Sequence, residues 1–257
     1  MTGFGFIIGC VAGTLGIGGG LLTIPALSFI APLLGLPHYP IHLASGLSAV
    51  HVLGSSSLST WVYINQRRMR WQWVWPLGIG SIAGGLLGGV VSKYMPEIML
   101  YSVFVGFLIM AFLMTVFRKR LRQVSLFDKD EIDEHPNTTQ RVFLALVGFI
   151  VGFVAANIGV GGSVLVIPIL MTQFHQRTKH AIANAAGFVM LTAVASVVGK
   201  AMVGLIPLPE AIFLTLGSIS GGLVGARANR FIPSLWLRTA LATVIMVSLI
   251  RTLFAII

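Results

Sequence analysis

The chain has 257 residues, of which 56% are hydrophobic and only 9% are charged. Soluble domains carry about 25% charged residues, so this apolar share is too large for one soluble core and predicts a protein embedded in a lipid bilayer. The net charge of +10 would suggest nucleic-acid binding in a soluble protein. In a membrane protein, basic residues first mark the loops that stay in the cytoplasm, so we expect no nucleic-acid partner.

Apolar runs alternate with short polar loops along the chain, and one longer polar insert divides them into two sets of four. Most runs are near the 20 or so residues that a membrane helix needs. The first run of each set is longer: about 33 residues would make a helix of roughly 50 Å, and each of these two runs contains a glycine cluster. The runs lie at about 3–35, 41–64, 73–92 and 97–117, then at 142–174, 180–199, 209–226 and 235–257.

The two sets are copies of each other. The stretch GFIIGCVAGTLGIGGGLLTIPAL (5–27) aligns without gaps with GFIVGFVAANIGVGGSVLVIPIL (148–170), and 13 of the 23 positions are identical. Further along, SIAGGLLGG (81–89) resembles SISGGLVGA (218–226). Internal repeats of this kind are typical of secondary transporters. We predict an all-α, polytopic helical membrane protein with a first membrane repeat at 1–117, a cytoplasmic charged linker at 118–141 and a second membrane repeat at 142–257.

The basic loops change sides between the two halves, which predicts an inverted repeat. Placing 65–72, 118–141, 175–180 and 227–234 in the cytoplasm puts 13 of the 17 Lys and Arg residues there, as expected for cytoplasmic loops. Lys93 and Lys200 then lie toward the outside. This assignment requires each long first run to be a Gly-broken helical hairpin, followed by three transmembrane helices. Both termini would face the periplasm or exterior.

The apolar runs contain no Asp or Glu. Of the seven acidic residues, five lie in the 118–141 insert, and Glu97 and Glu210 lie at the ends of runs. A membrane protease, a carboxylate proton relay or a metal site would need buried acids or histidine clusters. We therefore expect no enzyme activity, no cofactor and no metal. The glycine motif also lacks the Lys and Ser/Thr that end a phosphate-binding loop.

The glycine clusters at 16–20 and 159–163 favour an anion site at the tips of the two hairpins. Consecutive glycines destabilise a helix by roughly 1 kcal/mol each relative to alanine, but they suit an unwound loop that exposes backbone N–H groups. A half-helix that starts after such a loop presents its positive N-terminus to a ligand. The glycines at 84–89 and 221–225 are instead expected to allow close helix packing.

Several polar residues near the two loops are candidates for binding oxyanions, although each is also compatible with an ordinary interhelical hydrogen bond. His51, in the second run, is either a satisfied helix-packing residue or a protonatable coupling residue. The candidate substrate-binding residues are Gly16, Gly18, Gly19, Gly20, Gly159, Gly161, Gly162, Ser163, Thr14, Asn157, Ser45, Ser48 and Asn184.

The doubled motif resembles the sulfite exporter TauE/SafE family. Its two copies are Thr-Leu-Gly-Ile-Gly-Gly-Gly (14–20) and Asn-Ile-Gly-Val-Gly-Gly-Ser (157–163), followed by Ile24-Pro25 and Ile167-Pro168. The resemblance covers essentially the whole chain. It implies transport of sulfur-containing anions, such as sulfite or organosulfonates, across the bacterial inner membrane. The chain departs from the doubled pattern at Ala156, Asn157 and Ser163, which makes the two half-sites unequal.

The expected function is a secondary transporter of small anions in the inner membrane, working by alternating access around the two tips. Export is favoured because a negative cell interior drives an anion outward by roughly 2.3 kcal/mol per charge per 100 mV. An importer or channel for another small anion remains open, and so does a membrane scaffold or assembly factor without transport. Besides the anionic substrate, the lipid bilayer is the expected partner, and the oligomeric state is undetermined.

Overall fold

The computed structural model describes residues 2–15, 19–27, 39–117 and 136–233, and beyond these only 235–237, 239–240, 242–243 and 246. The described residues form helices and short connections without a strand, so the predicted all-α fold is confirmed for them. Most of the charged linker and of the last apolar run lies outside the described residues. The helices are α1 (Thr2–Leu15), α2 (Gly20–Pro25), α3 (Ile41–Asn65), α4 (Trp71–Val91), α5 (Glu97–Val116), α6 (Thr138–Ile158), α7 (Ser163–Thr172), α8 (Thr178–Met202) and α9 (Leu208–Ala228).

Five helices in the described part of the chain, α4, α5, α6, α8 and α9, are long and apolar enough to cross a bilayer. Their outward faces carry large apolar side chains, such as Ile79, Ile98 and Ile212, that are more than half exposed. Such side chains are stable on a surface that contacts lipid rather than water. The fold is that of a multi-pass membrane protein.

Both overlong runs are interrupted at their glycine clusters. In the first run α1 ends at Leu15 and α2 begins at Gly20, and in the second α6 ends at Ile158 and α7 begins at Ser163. The second run then turns back, because the Phe174 ring after α7 lies 6.0 Å from the Phe143 ring near the start of α6. The ten residues of α7 span only about 15 Å, so α7 alone is too short to cross a bilayer.

The duplication extends to the helix boundaries. Helices α3 and α8 each have 25 residues and begin at Ile41 and Thr178, which are 137 positions apart. The same spacing separates α4 from α9, which each have 21 residues. Residues 137 positions apart in these helices are called equivalent below, as are residues 143 positions apart in the two hairpins.

Glycines bring the backbones of α4 and α6 into contact. A Cβ atom added at Gly80, Gly84 or Gly88 would meet the carbonyl oxygen of Ala145, Phe149 or Phe153, respectively. Rising numbers in one helix meet rising numbers in the other, so α4 and α6 run in the same direction. Small residues allow membrane helices to approach this closely, and the predicted packing role of the glycines at 84–89 is confirmed.

The equivalent contact joins α9 to α1. A Cβ atom at Gly217, Gly221 or Gly225 would meet the carbonyl oxygen of Thr2, Phe6 or Cys10. Helices α1 and α9 therefore also run in the same direction. The neighbouring Gly222 faces Ser55 of α3, as its equivalent Gly85 faces Thr192 of α8.

The two interrupted runs begin at opposite ends of the bundle. Ser45 near the start of α3 binds Lys200 near the end of α8, and the backbone N–H of Arg70, after α3, binds Asn184 near the start of α8. Helices α3 and α8 are therefore antiparallel. Rising numbers in α9 also meet rising numbers in α3, and those in α4 meet rising numbers in α8. Helices α1, α9 and α3 therefore run in one direction, and α6, α4 and α8 run in the other.

Replacing Gly88 with valine should destabilise the fold by on the order of 1–3 kcal/mol, because the added side chain would force α4 away from Phe153 of α6. The measurement is the melting temperature of the purified protein in detergent. Gly106→Val is the matched control, since a Cβ atom at exposed Gly106 meets nothing within 4 Å. Equal melting temperatures for the two variants would contradict the α4–α6 packing.

Candidate functional site

Positive backbone φ angles explain why both interruptions use glycine. Gly19, which precedes α2, has φ 81°, and Gly159, Gly161 and Gly162 have φ 84°, 83° and 83°. Side chains make these conformations costly, whereas glycine adopts them readily. Two predicted site residues, Gly16 and Gly18, lie outside the described residues.

The tips of the two hairpins touch each other in the interior. A Cβ atom added at Gly20 would meet the carbonyl oxygen of Gly159 and would lie 2.6 Å from the Cα atom of Val160. Ser48 of α3 lies between the tips, with its Oγ 2.7 Å from Gly159 O and 3.4 Å from Gly20 O. The Ser48 hydroxyl donates to both carbonyls, so one side chain joins the two tips.

An aromatic ring covers the glycine before each half-helix. A Cβ atom at Gly162 would lie 3.1 Å from the Phe188 ring, and one at Gly19 would lie 2.6 Å from His51 Nε2. His51 and Phe188 are equivalent residues in α3 and α8. Phenylalanine thus satisfies the packing in the second half. The first half has a fully buried imidazole, and neither of its nitrogens has a hydrogen-bond partner among the residues that the structure describes.

Two further polar groups beside the second tip are buried without a partner in the described part of the chain. Ser163, the first residue of α7, is fully buried and its Oγ makes no hydrogen bond. Asn157 donates from Nδ2 to Phe153 O at 2.9 Å, but its Oδ1 atom is unpaired. Buried unpaired polar groups cost about 1–3 kcal/mol each, so they are expected where a polar ligand completes the bonding. The second tip is therefore the more polar of the two.

Two predicted site residues lie away from the tips. Thr14 donates its hydroxyl to Cys10 O at 2.7 Å and to Gly225 O at 3.1 Å, which ties α1 to α9. Asn184, near the start of α8, accepts a hydrogen bond from the backbone N–H of Arg70 and donates one to Gln176 Oε1. The structure brings together Gly19, Gly20, Gly159, Gly161, Gly162, Ser163, Asn157, Ser45, Ser48 and His51.

Lys200 is a site residue that the sequence analysis missed, because it was assigned to an exterior loop. It lies inside α8, has no exposed surface, and donates from Nζ to Ser45 Oγ (2.8 Å), Ser92 Oγ (3.1 Å) and Asn157 O (3.2 Å). The 137-residue spacing of the repeat is the sequence signal that indicates burial of Lys200. Position 200 is equivalent to Tyr63, which lies within the second apolar run.

A narrow crevice, too small to admit a water molecule, lies between the second tip, α3 and α8. Small side chains and glycines form most of its wall, and Thr192 and Ser196 are its polar members. Among the described residues, no group of three or more His, Cys, Asp or Glu side chains is placed to hold a metal ion. The chemistry available here is hydrogen bonding by hydroxyl, imidazole, amide and ammonium groups.

Comparisons with known proteins indicate that the chain is a membrane transporter. The sequence model of the family described as Sulfite exporter TauE/SafE matches residues 1–252. A probable membrane transporter protein of Bacillus subtilis is 27% identical over 88% of this chain and 86% of its own length. Another, from Methanocaldococcus jannaschii, is 25% identical over 94% of this chain and 90% of its own length. No solved structure gives a significant match to the chain.

Replacing His51 with phenylalanine should leave the stability unchanged or raise it by up to about 1 kcal/mol, because no hydrogen bond is lost and Phe188 fills the equivalent place. Ser48→Ala is the contrasting variant and should lower stability by about 1 kcal/mol, since it removes the bond to Gly159 O. Denaturant or thermal melts of the purified variants decide this. A His51→Phe loss as large as that of Ser48→Ala would contradict the absence of partners at His51.

Proposed function

Because the chain belongs to the sulfite exporter TauE/SafE family, we propose that this membrane transporter moves small sulfur-containing anions, sulfite or an organosulfonate, outward across the inner membrane. The contact between the two interrupted helices is the observation that carries the proposal. Ser48 holds the backbones of Gly20 and Gly159 together. Beside this contact His51, Ser163 and Asn157 have buried polar atoms that find no partner among the described residues. The protein has no catalytic role in this proposal.

The substrate binds at the tips through uncharged donors and one cation. The first N–H groups of a helix have no intrahelical partner, and α7 presents those that follow Gly162. The Ser163 hydroxyl and the His51 imidazole add donors, and Lys200 lies close to Asn157 at the end of α6. Thr14 and Asn184 support this site at a distance, by fixing α1 and the start of α8.

Transport proceeds by alternating access between two inverted repeats. The opposite directions of α1 and α6, and of α3 and α8, support this arrangement. The loop at 66–70, the start of α8 and the end of α9 carry Arg and Lys and share one end of the bundle, where Lys179 donates to Arg230 O and Arg68 donates to Asn229. This end faces the cytoplasm, and both termini face outward.

Export fits the absence of acidic residues from the described interior, where the buried polar side chains include no Asp or Glu. An outward-moving anion is driven by the membrane potential, at roughly 2.3 kcal/mol per charge per 100 mV. No carboxylate relay is required for this direction. Inward movement would need a coupled cation, for which His51 is the candidate coupling residue.

Purified protein in liposomes should take up labelled sulfite or ethanesulfonate when the lumen is made positive, because the potential then pulls the anion inward. Setting the diffusion potential with potassium and valinomycin makes the flux measurable in either direction. Liposomes that hold a folded variant with Ser163→Val, which fills the second tip, should transport at least about tenfold more slowly, a loss of 1.4 kcal/mol or more. Absence of flux for both anions in the unmodified protein would contradict the proposal.

Single cysteines at Pro40 and Arg177, equivalent residues that are both exposed before α3 and α8, should be labelled from opposite sides of the membrane. The background is Cys10→Ala, because Cys10 is the single cysteine of the chain. Intact cells treated with a membrane-impermeant maleimide should label position 40 and should label position 177 only after lysis. Labelling of both from the same side would contradict the inverted repeat.

A further inference from the structure

The hydrogen bonds around Lys200 favour its ammonium form. Ser45 already donates its hydroxyl proton to His42 O at 2.7 Å, and Ser92 donates its own to Gly89 O at 2.7 Å. Both hydroxyls can therefore only accept from Lys200, as can the Asn157 carbonyl oxygen. Three acceptors need three N–H donors, and only the protonated lysine side chain has three.

The positive charge of Lys200 has no carboxylate partner among the described residues. Glu97, at the same end of the bundle, pairs with His42 at 3.6 Å and is 56% exposed. A fully buried ammonium without a counter-ion costs several kcal/mol. Inside a membrane protein such a charge is expected to have a functional partner.

Capping the end of α6 does not by itself require a charge. A cation near a helix C-terminus is favourable, and Lys200 does bind the carbonyl of Asn157. The end of α1 makes the corresponding bonds with neutral groups, however: Tyr63, equivalent to Lys200, donates to Gly13 O at 2.7 Å, and Asn229 donates to Thr14 O at 2.7 Å. Capping a helix end therefore does not explain why position 200 carries a charge where Tyr63 is neutral.

Lys200 is connected directly to the second tip. Ser45, which accepts from Lys200, has its backbone carbonyl against Gly159, and Asn157 precedes Gly159 by two residues. Ser196, one helical turn before Lys200, lines the narrow crevice together with Gly159 and other tip residues. A flexible four-carbon stem allows the ammonium to exchange a serine hydroxyl for a ligand oxygen when alternating access opens this crevice.

We propose that Lys200 supplies the fixed positive charge for the transported anion and that the site therefore selects monovalent oxyanions, such as sulfonates, over divalent ones, such as sulfate. Of the Lys and Arg residues that the structure describes, Lys200 is the buried one. The Lys200 ammonium balances one negative charge of the substrate. A second negative charge would stay unpaired among neutral groups, which is unfavourable. This inference rests on the proposed transport function.

The test compares Lys200→Gln, Lys200→Arg and the matched control Lys93→Gln in liposomes, with labelled ethanesulfonate as the probe and sulfate as the competitor. Lys93 lies at the same end of the bundle but is exposed. In the unmodified protein, sulfate should compete at least about tenfold more weakly than unlabelled ethanesulfonate, and Lys200→Gln should slow uptake by about tenfold or more. Lys200→Arg keeps the charge and should retain more uptake than Lys200→Gln, and Lys93→Gln should transport as the unmodified protein does.

Uptake by Lys200→Gln at the unmodified rate would overturn the inference and leave Lys200 as a helix cap, while the proposed function would stand. Absence of ethanesulfonate uptake by the unmodified protein would instead overturn the proposed function and this inference with it. If Lys200→Gln does not fold, competition in the unmodified protein decides the matter. Sulfate that competes as well as ethanesulfonate would overturn the selection of monovalent anions.

Discussion

The contact between the two hairpin tips, Gly20 against Gly159, is the constraint on which the rest of the structure depends. Two helices are interrupted inside the protein, where water is not available to bind the exposed backbone groups. Such an interruption is tolerated in a membrane only where protein groups or a ligand-filled space surround it. The two tips meet this requirement by packing against each other and by sharing the Ser48 hydroxyl.

The glycine-rich helices allow the tips to meet. Glycines on α4 and α9 let α6 and α1 lie backbone to backbone along their lengths, and α3 and α8 can then cross beside the tips. A larger residue on either surface would move α1 or α6, and with it the tip that follows that helix. The packing glycines and the tip glycines thus serve different physical purposes, close approach in one case and positive φ angles in the other.

The duplication makes the differences between the halves informative. Equivalent residues perform the same packing task, so a change of chemistry at one of them needs a separate reason. His51 replaces the apolar ring found at Phe188, and Lys200 replaces the neutral phenol of Tyr63. Both replacements add a polar or charged group to the interior beside the tips. A two-fold scaffold with an unsymmetrical lining is what the binding of a small, unsymmetrical ligand requires.

The sequence by itself determined the all-helical fold, the duplication and the two interruptions, because apolar length, repeated motifs and consecutive glycines are local properties of the chain. It also indicated Ser48, Ser163 and Asn157, which stand close to the glycine motifs or follow them in the next run. Only the tertiary structure decided which polar residues share one site. It separates Thr14 and Asn184 from the tips and buries Lys200 against Ser45, Ser92 and Asn157. The Lys200 contacts join residues 43 to 155 positions apart. A lysine at the end of an apolar run looks the same in sequence whether it faces solvent or turns inward.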